Sequence, residues 1–188
     1  KIRHMVDEGV LTAFSSNYAL YGDLSNRVMS ILADAVPKIE IYSIDEAYLH
    51  LEGIDVDKVP DICRNLIAKV RQWVGIPVSI GVAPTKTLAK IASHFAKKYK
   101  GYKGFCMMDT AEKRIKALQL TPIEDVWGIG RRLAPKMQGW GIRTALDFVR
   151  RPAQWVKDMM GMNGLRTWNE LNGLACIDEE NQERRKSI

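Results

Sequence analysis

Ile39-Glu40-Ile41-Tyr42-Ser43-Ile44-Asp45-Glu46-Ala47-Tyr48-Leu49-His50-Leu51 is the stretch on which the reading of this chain turns. Residues 39–44 and 47–51 are β-rich runs interrupted only by Asp45 and Glu46. They predict a β-hairpin ending near Gly53, with the acid pair at its bend. Adjacent carboxylates between apolar strands are costly unless a cation or hydrogen bonds compensate them. Neighbouring side chains of an ideal strand point to opposite faces, but a tight bend lets both converge on one ion. Mg²⁺ suits a few carboxylates supplemented by substrate phosphates. For the dipeptide alone, a simple polar turn explains the residues as well.

Outward from the hairpin, helices and strands alternate. Leu24, Val28, Ile31, Leu32 and Ala35 recur at helical spacing and predict a helix from Asp23 to Val36, stopped by Pro37. Before it, Val10, Leu11, Ala13 and Phe14 read as a short strand-like patch and residues 15–18 as a loop. Pro60 to Val74 forms a second helix, ended by Gly75. Val78–Ala83 supplies a strand, and Thr85 to about Tyr99 a helix burying Leu88, Ile91 and Phe95. This alternation to about residue 110 predicts an α/β domain with helices on a sheet. After Thr121 come short helices punctuated by glycines: 123–127, 131–138, 144–150, and two more near 155–160 and 164–171. The charged tail 178–188 reads as a linker.

The 188 residues are 46% hydrophobic and 27% charged, enough for one large or two small soluble domains. No apolar run is long enough to cross a bilayer, and Lys1-Ile2-Arg3-His4 lacks the features of a secretory signal, so a cytoplasmic location with no membrane partner is expected. Cys63, Cys106 and Cys176 are too scattered for a zinc or redox motif. The net charge is +6, and residues 79–108 contain six lysines and no acid, predicting a positive face for a polyanion. Taken alone, that segment reads first as a solvated lysine surface. Lys86, Lys90 and Lys97 are spaced to share one side of the helix. His94 reads as an exposed or capping histidine, Trp127, Trp140, Trp155 and Trp168 as core, and Met159, Met160 and Met162 as packing.

Tyr42-Ser43-Ile44-Asp45-Glu46-Ala47-Tyr48-Leu49 resembles the acidic signature of Y-family translesion DNA polymerases. With Phe14-Ser15-Ser16-Asn17-Tyr18-Ala19-Leu20-Tyr21 and Ser25-Asn26-Arg27-Val28-Met29-Ser30 it resembles the UmuC (ImpB/MucB/SamB) branch. The likeness continues through Gly81-Val82-Ala83-Pro84-Thr85-Lys86-Thr87-Leu88-Ala89-Lys90 and Asp125-Val126-Trp127-Gly128-Ile129-Gly130-Arg131-Arg132, in the family's order. What the resemblance implies is an α+β fold: a palm-like α/β sheet domain, then a small all-α thumb with a helix-hairpin-helix. The expected divisions are a partial palm at 1–115, including the end of the fingers at 1–22, a thumb at 116–177, and a linker at 178–188.

The resemblance further implies that Asp45 and Glu46 ligate catalytic Mg²⁺, that Lys97 reaches the triphosphate of an incoming dNTP, and that Lys86 and Lys90 lie near the DNA backbone. Gly128, Gly130, Arg131 and Arg132 would contact the backbone of primer-template DNA, since glycines let amides approach phosphate closely. The implied activity is Mg²⁺-dependent templated nucleotidyl transfer in SOS-type DNA repair, in a nucleoid-associated bacterial enzyme. A UmuD-type dimer, a recombinase filament and a sliding clamp are the implied partners. The family's strand with a further metal-binding aspartate, its fingers and its little-finger domain have no match here, so the chain is expected to be a fragment inactive alone. An unpaired palm edge would favour self-association. A non-catalytic DNA-binding module, using the lysine helix and the hairpin between helices, is the alternative reading.

Overall fold

The computed structural model describes residues 2–177, so the expected linker at 178–188 lies outside the described residues. The chain runs through α1 (Arg3–Asp7), α2 (Tyr18–Ala33), β1 (Lys38–Ile41), β2 (Ala47–His50), α3 (Val59–Val74) and β3 (Ile80–Val82). It continues through α4 (Lys86–Lys98), β4 (Phe105–Met107), α5 (Ala111–Leu120), α6 (Ala134–Gly139), α7 (Ala145–Val149) and α8 (Ala153–Leu171). No helix among the described residues is long and apolar enough to cross a membrane.

β3, α4 and β4 form a crossover unit in which β3 and β4 pair in parallel, Gly81 opposite Cys106. A parallel pair needs such an intervening segment because its strands run the same way. β4 then sorts its side chains by the strand period of two: Phe105 packs with Val59 and Cys63 of α3, whereas Cys106 joins the cluster containing Leu88 and Ile91 of α4. Burial pushes the Cys63 thiol up to about 11, so it remains an apolar filler. α4 lies directly on β3 because Gly81 has no side chain; a Cβ there would strike the backbone of Ala89, Ala92 and Ser93. Thr85 caps the helix, accepting a hydrogen bond from Leu88 N–H at 3.3 Å.

The largest core extends from α4 into the helices beyond residue 120, joining Leu88, Ile91 and Phe95 to Met137, Ile142 and Phe148. Each of these large side chains contributes about 1.5–3 kcal/mol on full burial. The expected boundary between residues 115 and 116 falls inside α5. α8 reads as two helices, as anticipated, because Gly161 interrupts it at φ 68° and ψ −163°.

Four expectations are corrected. The helix predicted from Asp23 starts at Tyr18, where Asn17 Oδ1 accepts from Leu20 N–H at 3.1 Å. The patch at 10–14 makes no strand, and Phe14 is 88% exposed. The helix predicted from Arg131 begins at Ala134. The single sheet is instead two two-stranded sheets among the described residues, antiparallel β1–β2 and parallel β3–β4. Local hairpin closure makes the first and the α4 crossover the second, and no described strand bridges them. A cleft of about 1300 Å³ opens there, lined by residues of α2, β2, β3 and α4.

Candidate active-site cleft

The acid pair stands at the bend of the β1–β2 hairpin, whose register pairs Ile41 with Ala47. The bend closes because Tyr42 and Ser43 N–H both donate to the Glu46 carbonyl, at 2.9 and 3.0 Å. Ser43 Oγ–H donates to Asp45 Oδ1 at 2.6 Å and accepts from Asp45 N–H at 3.3 Å, which orients the Asp45 carboxylate. Asp45 and Glu46 are exposed and line the cleft. The geometry therefore presents both carboxylates to the same space.

α4 forms a facing wall. Lys90 Nζ donates to both Glu46 oxygens at 2.8 and 2.9 Å, and lies 4.8 Å from the Tyr42 ring centre and 5.4 Å from that of Trp127. One turn earlier, Lys86 Nζ donates to both oxygens of buried Glu40 at 2.8 and 2.6 Å, and stands 5.2 Å from the Tyr48 ring. His50 Nε2 is 3.6 Å from Glu40 Oε2. Lysines four residues apart thus hold two carboxylates of the hairpin, one buried and one at the cleft. Burial raises the Tyr48 phenol far above its usual range, with Glu46, Tyr42 and Glu40 adding to the effect. It stays a neutral hydroxyl, and that hydroxyl is buried without a hydrogen-bond partner among the described residues.

The sequence-derived candidates are thus distributed unequally. Asp45, Glu46, Lys90 and Lys97 line one cleft. Lys97 is exposed and, among the described residues, pairs with no carboxylate. Lys86 and Lys90 were expected at DNA phosphates, yet their ammonium groups are engaged by Glu40 and Glu46. Gly128, Gly130, Arg131 and Arg132 are all exposed, in the turn leading into α6. Gly128 sits at φ 89°, and a Cβ at Gly130 would meet open space, so the backbone there is accessible.

Sequence reasoning missed Glu40 and gave Trp127 to the core. Glu40 had a signal: a carboxylate alternating with Ile39 and Ile41 falls on a buried strand face and demands a cation. Trp127 had none, because its partners Tyr42 and Tyr48, with ring centres 5.7 and 6.3 Å away, are remote in sequence. Trp155 and Trp168 pack on the core as expected, whereas Trp140 is 40% exposed. Met160 packs likewise, but Met159 and Met162 are exposed. His94 is exposed.

No three His, Cys, Asp or Glu side chains converge as a metal centre among the described residues. The donor set nevertheless fits a divalent cation in part. Asp45 is held by Ser43 and open to the cleft, and Glu46 already receives a cation, the Lys90 ammonium. Such a pair suits a hard divalent cation that keeps waters and takes remaining ligands from phosphate.

Residues 1–94 match the impB/mucB/samB family. Over 172 residues the chain is 41% identical to Protein UmuC of Salmonella typhimurium, covering 90% of this chain and 41% of that protein. It is 31% identical over 175 residues to DNA polymerase IV of Oceanobacillus iheyensis, covering 92% of this chain and 41% of that one. The chain therefore spans about two fifths of the length of these curated relatives. Its fold is similar to that in the insertion ternary complex of Dbh DNA polymerase, with a TM-score of 0.74 and 27% identity over 95% of this chain and 52% of that one.

Proposed function

Because this chain belongs to the impB/mucB/samB family, we propose that it forms the part of a Y-family translesion DNA polymerase that carries an acidic metal site, a triphosphate-facing lysine and a duplex contact. The observation that carries this reading is that Asp45, Glu46 and Lys97 line one cleft. Carboxylates for a cation and an uncommitted ammonium for a polyphosphate are what templated nucleotidyl transfer requires of a protein surface.

In this reading Asp45 and Glu46 hold Mg²⁺. When bound, the ion supplies activation of a primer 3′-hydroxyl and neutralisation of the leaving pyrophosphate. Ser43 keeps Asp45 oriented. Lys90 holds Glu46 against the Tyr42 and Trp127 rings until the carboxylate is needed, and Lys86 anchors the hairpin by its inner carboxylate. Lys97 receives the dNTP triphosphate. Arg131 and Arg132, with the open backbone at Gly128 and Gly130, meet the primer-template backbone in a helix-hairpin-helix manner that positions DNA without reading bases. The palm-and-thumb division, SOS-linked bypass, and a UmuD-type dimer, recombinase filament and clamp belong to this proposal too, supported by the similarity to Protein UmuC.

The test is binding of a fluorescent primer-template duplex by this chain, with and without Mg²⁺ and dNTP, alongside primer extension. We expect salt-sensitive duplex binding, tightening by Mg²⁺ with dNTP that is lost in D45N, and no extension, since no three His, Cys, Asp or Glu side chains converge on a metal position among the described residues. Duplex binding indifferent to Mg²⁺, dNTP and D45N would favour a non-catalytic DNA-binding module. No binding at low salt would overturn both.

A further inference from the structure

Glu170 is a buried charge that the cleft does not explain. It is 1% exposed and stands in the last turn of α8, where the partial negative charge of a helix C-terminus disfavours a carboxylate. No lysine or arginine among the described residues pairs with it. Its partners are backbone amides. Thr87 N–H, at the start of α4, donates to Oε2 at 3.0 Å, while Cys176 and Ile177 N–H donate to Oε1 at 2.8 and 3.3 Å. The Glu170 carbonyl also accepts from Thr85 Oγ–H at 2.8 Å, the same hydroxyl that caps α4. The positive end of α4 compensates the buried carboxylate, and the carboxylate satisfies amides that the helix leaves unpaired.

We propose that Glu170 is a positioning residue that fixes the lysine helix α4 on the helices beyond residue 120, whose turn into α6 carries Arg131 and Arg132, and so sets the spacing between the triphosphate-facing lysine and the duplex contact. The use of that spacing rests on the function proposed above; the joint does not. One side chain ties together the start of α4, the end of α8 and the segment 176–177. Lys97 lies about 15 Å along α4 from Thr87 at about 1.5 Å per residue, so a tilt of about 10° at the joint moves it by about 3 Å. A displacement of that size separates groups that must engage one substrate together.

The test uses E170Q, with E170A as a harsher second variant, in the full 188-residue chain. Spin labels carried by unnatural amino acids at Lys98 on α4 and Lys136 on α6 leave the native cysteines in place. We expect E170Q to keep its helical content, to exchange the Thr87, Cys176 and Ile177 amides faster, and to broaden or shift the label distance. Its duplex affinity should fall about tenfold, the scale of one charge-assisted hydrogen bond. That loss should vanish in an R131A/R132A background, where relative placement no longer matters. An unchanged label distance overturns the proposal, and so does an equal affinity loss in both backgrounds, which marks general destabilisation. If the unsubstituted chain binds no duplex, the functional reading falls, while the exchange and distance measurements still decide whether Glu170 is the joint.

Discussion

α4 is held on one side by a hairpin and on another by helices, and the two attachments use different physics. Toward the helices beyond residue 120 it offers Leu88, Ile91 and Phe95, which enter a dry core with Ile142 and Phe148. Toward the hairpin it offers Lys86 and Lys90, which reach Glu40 and Glu46 beside an open cleft. Apolar burial is worth a predictable amount per side chain and tolerates no water. Ion pairs gain little net energy, because desolvation offsets attraction, but they fix where charges stand. Stability therefore resides in the helical attachment, and the placement of the acids in the ionic one.

The sharpest way to break that contrast is F148A. Phe148 is fully buried, and its truncation should cost about 3–5 kcal/mol, read as a lower urea midpoint. A cost under about 1 kcal/mol would remove the distinction. Next in size is K86A, which strands the Glu40 carboxylate at 7% exposure and should cost about 3 kcal/mol. The double variant E40Q/K86M should recover most of that loss, since the penalty comes from the unpaired charge; failure to recover would make this pair a net stabiliser.

A smaller effect is expected at the capping box of α7, where Thr144 Oγ accepts from Asp147 N–H at 3.1 Å and Asp147 Oδ2 accepts from Arg143 and Thr144 N–H at 3.0 and 2.9 Å. T144A or D147N should cost about 1 kcal/mol in thermal or urea unfolding. Burial opposes the Asp147 charge, but the Thr144 and Arg143 amides outweigh it and hold the carboxyl below its ordinary value. A depressed folded-state pKa means stability that is present above the unfolded value and lost as pH falls through the folded one. The gap between wild type and D147N should accordingly narrow on acidification below the carboxylate range; a gap independent of pH would refute the assignment.

K97A should have the smallest effect on stability, within about 0.5 kcal/mol, because the side chain is exposed and unpaired among the described residues. Its signature lies in binding: the slope of log affinity for duplex with dNTP against log salt should fall by about one. An unchanged slope would take Lys97 out of the phosphate-facing set.

Much of the local structure was legible. The hairpin with an acid bend, α3 ended by Gly75, and α4 starting at about Thr85 follow from periodicity and end signals. The start of α2 is not legible because its first turn, Tyr18 to Tyr21, is exposed and adds little to an amphipathic pattern, and the Asn17 cap lies within a polar run. β4 was not picked out, because three residues containing Cys and Met carry little strand preference of their own.

The sequence by itself determined which faces of α2 and α4 would be buried, where the hairpin would turn, and that two carboxylates would stand at its bend, because these depend on residues within a few positions of one another. Only the tertiary structure decided which cation meets which carboxylate. Lys86 finds Glu40 across 46 residues, Lys90 finds Glu46 across 44, and Thr87 finds Glu170 across 83. Such partners are chosen by packing, since a buried charge takes whichever donor the fold brings within reach, and no local pattern encodes that distance.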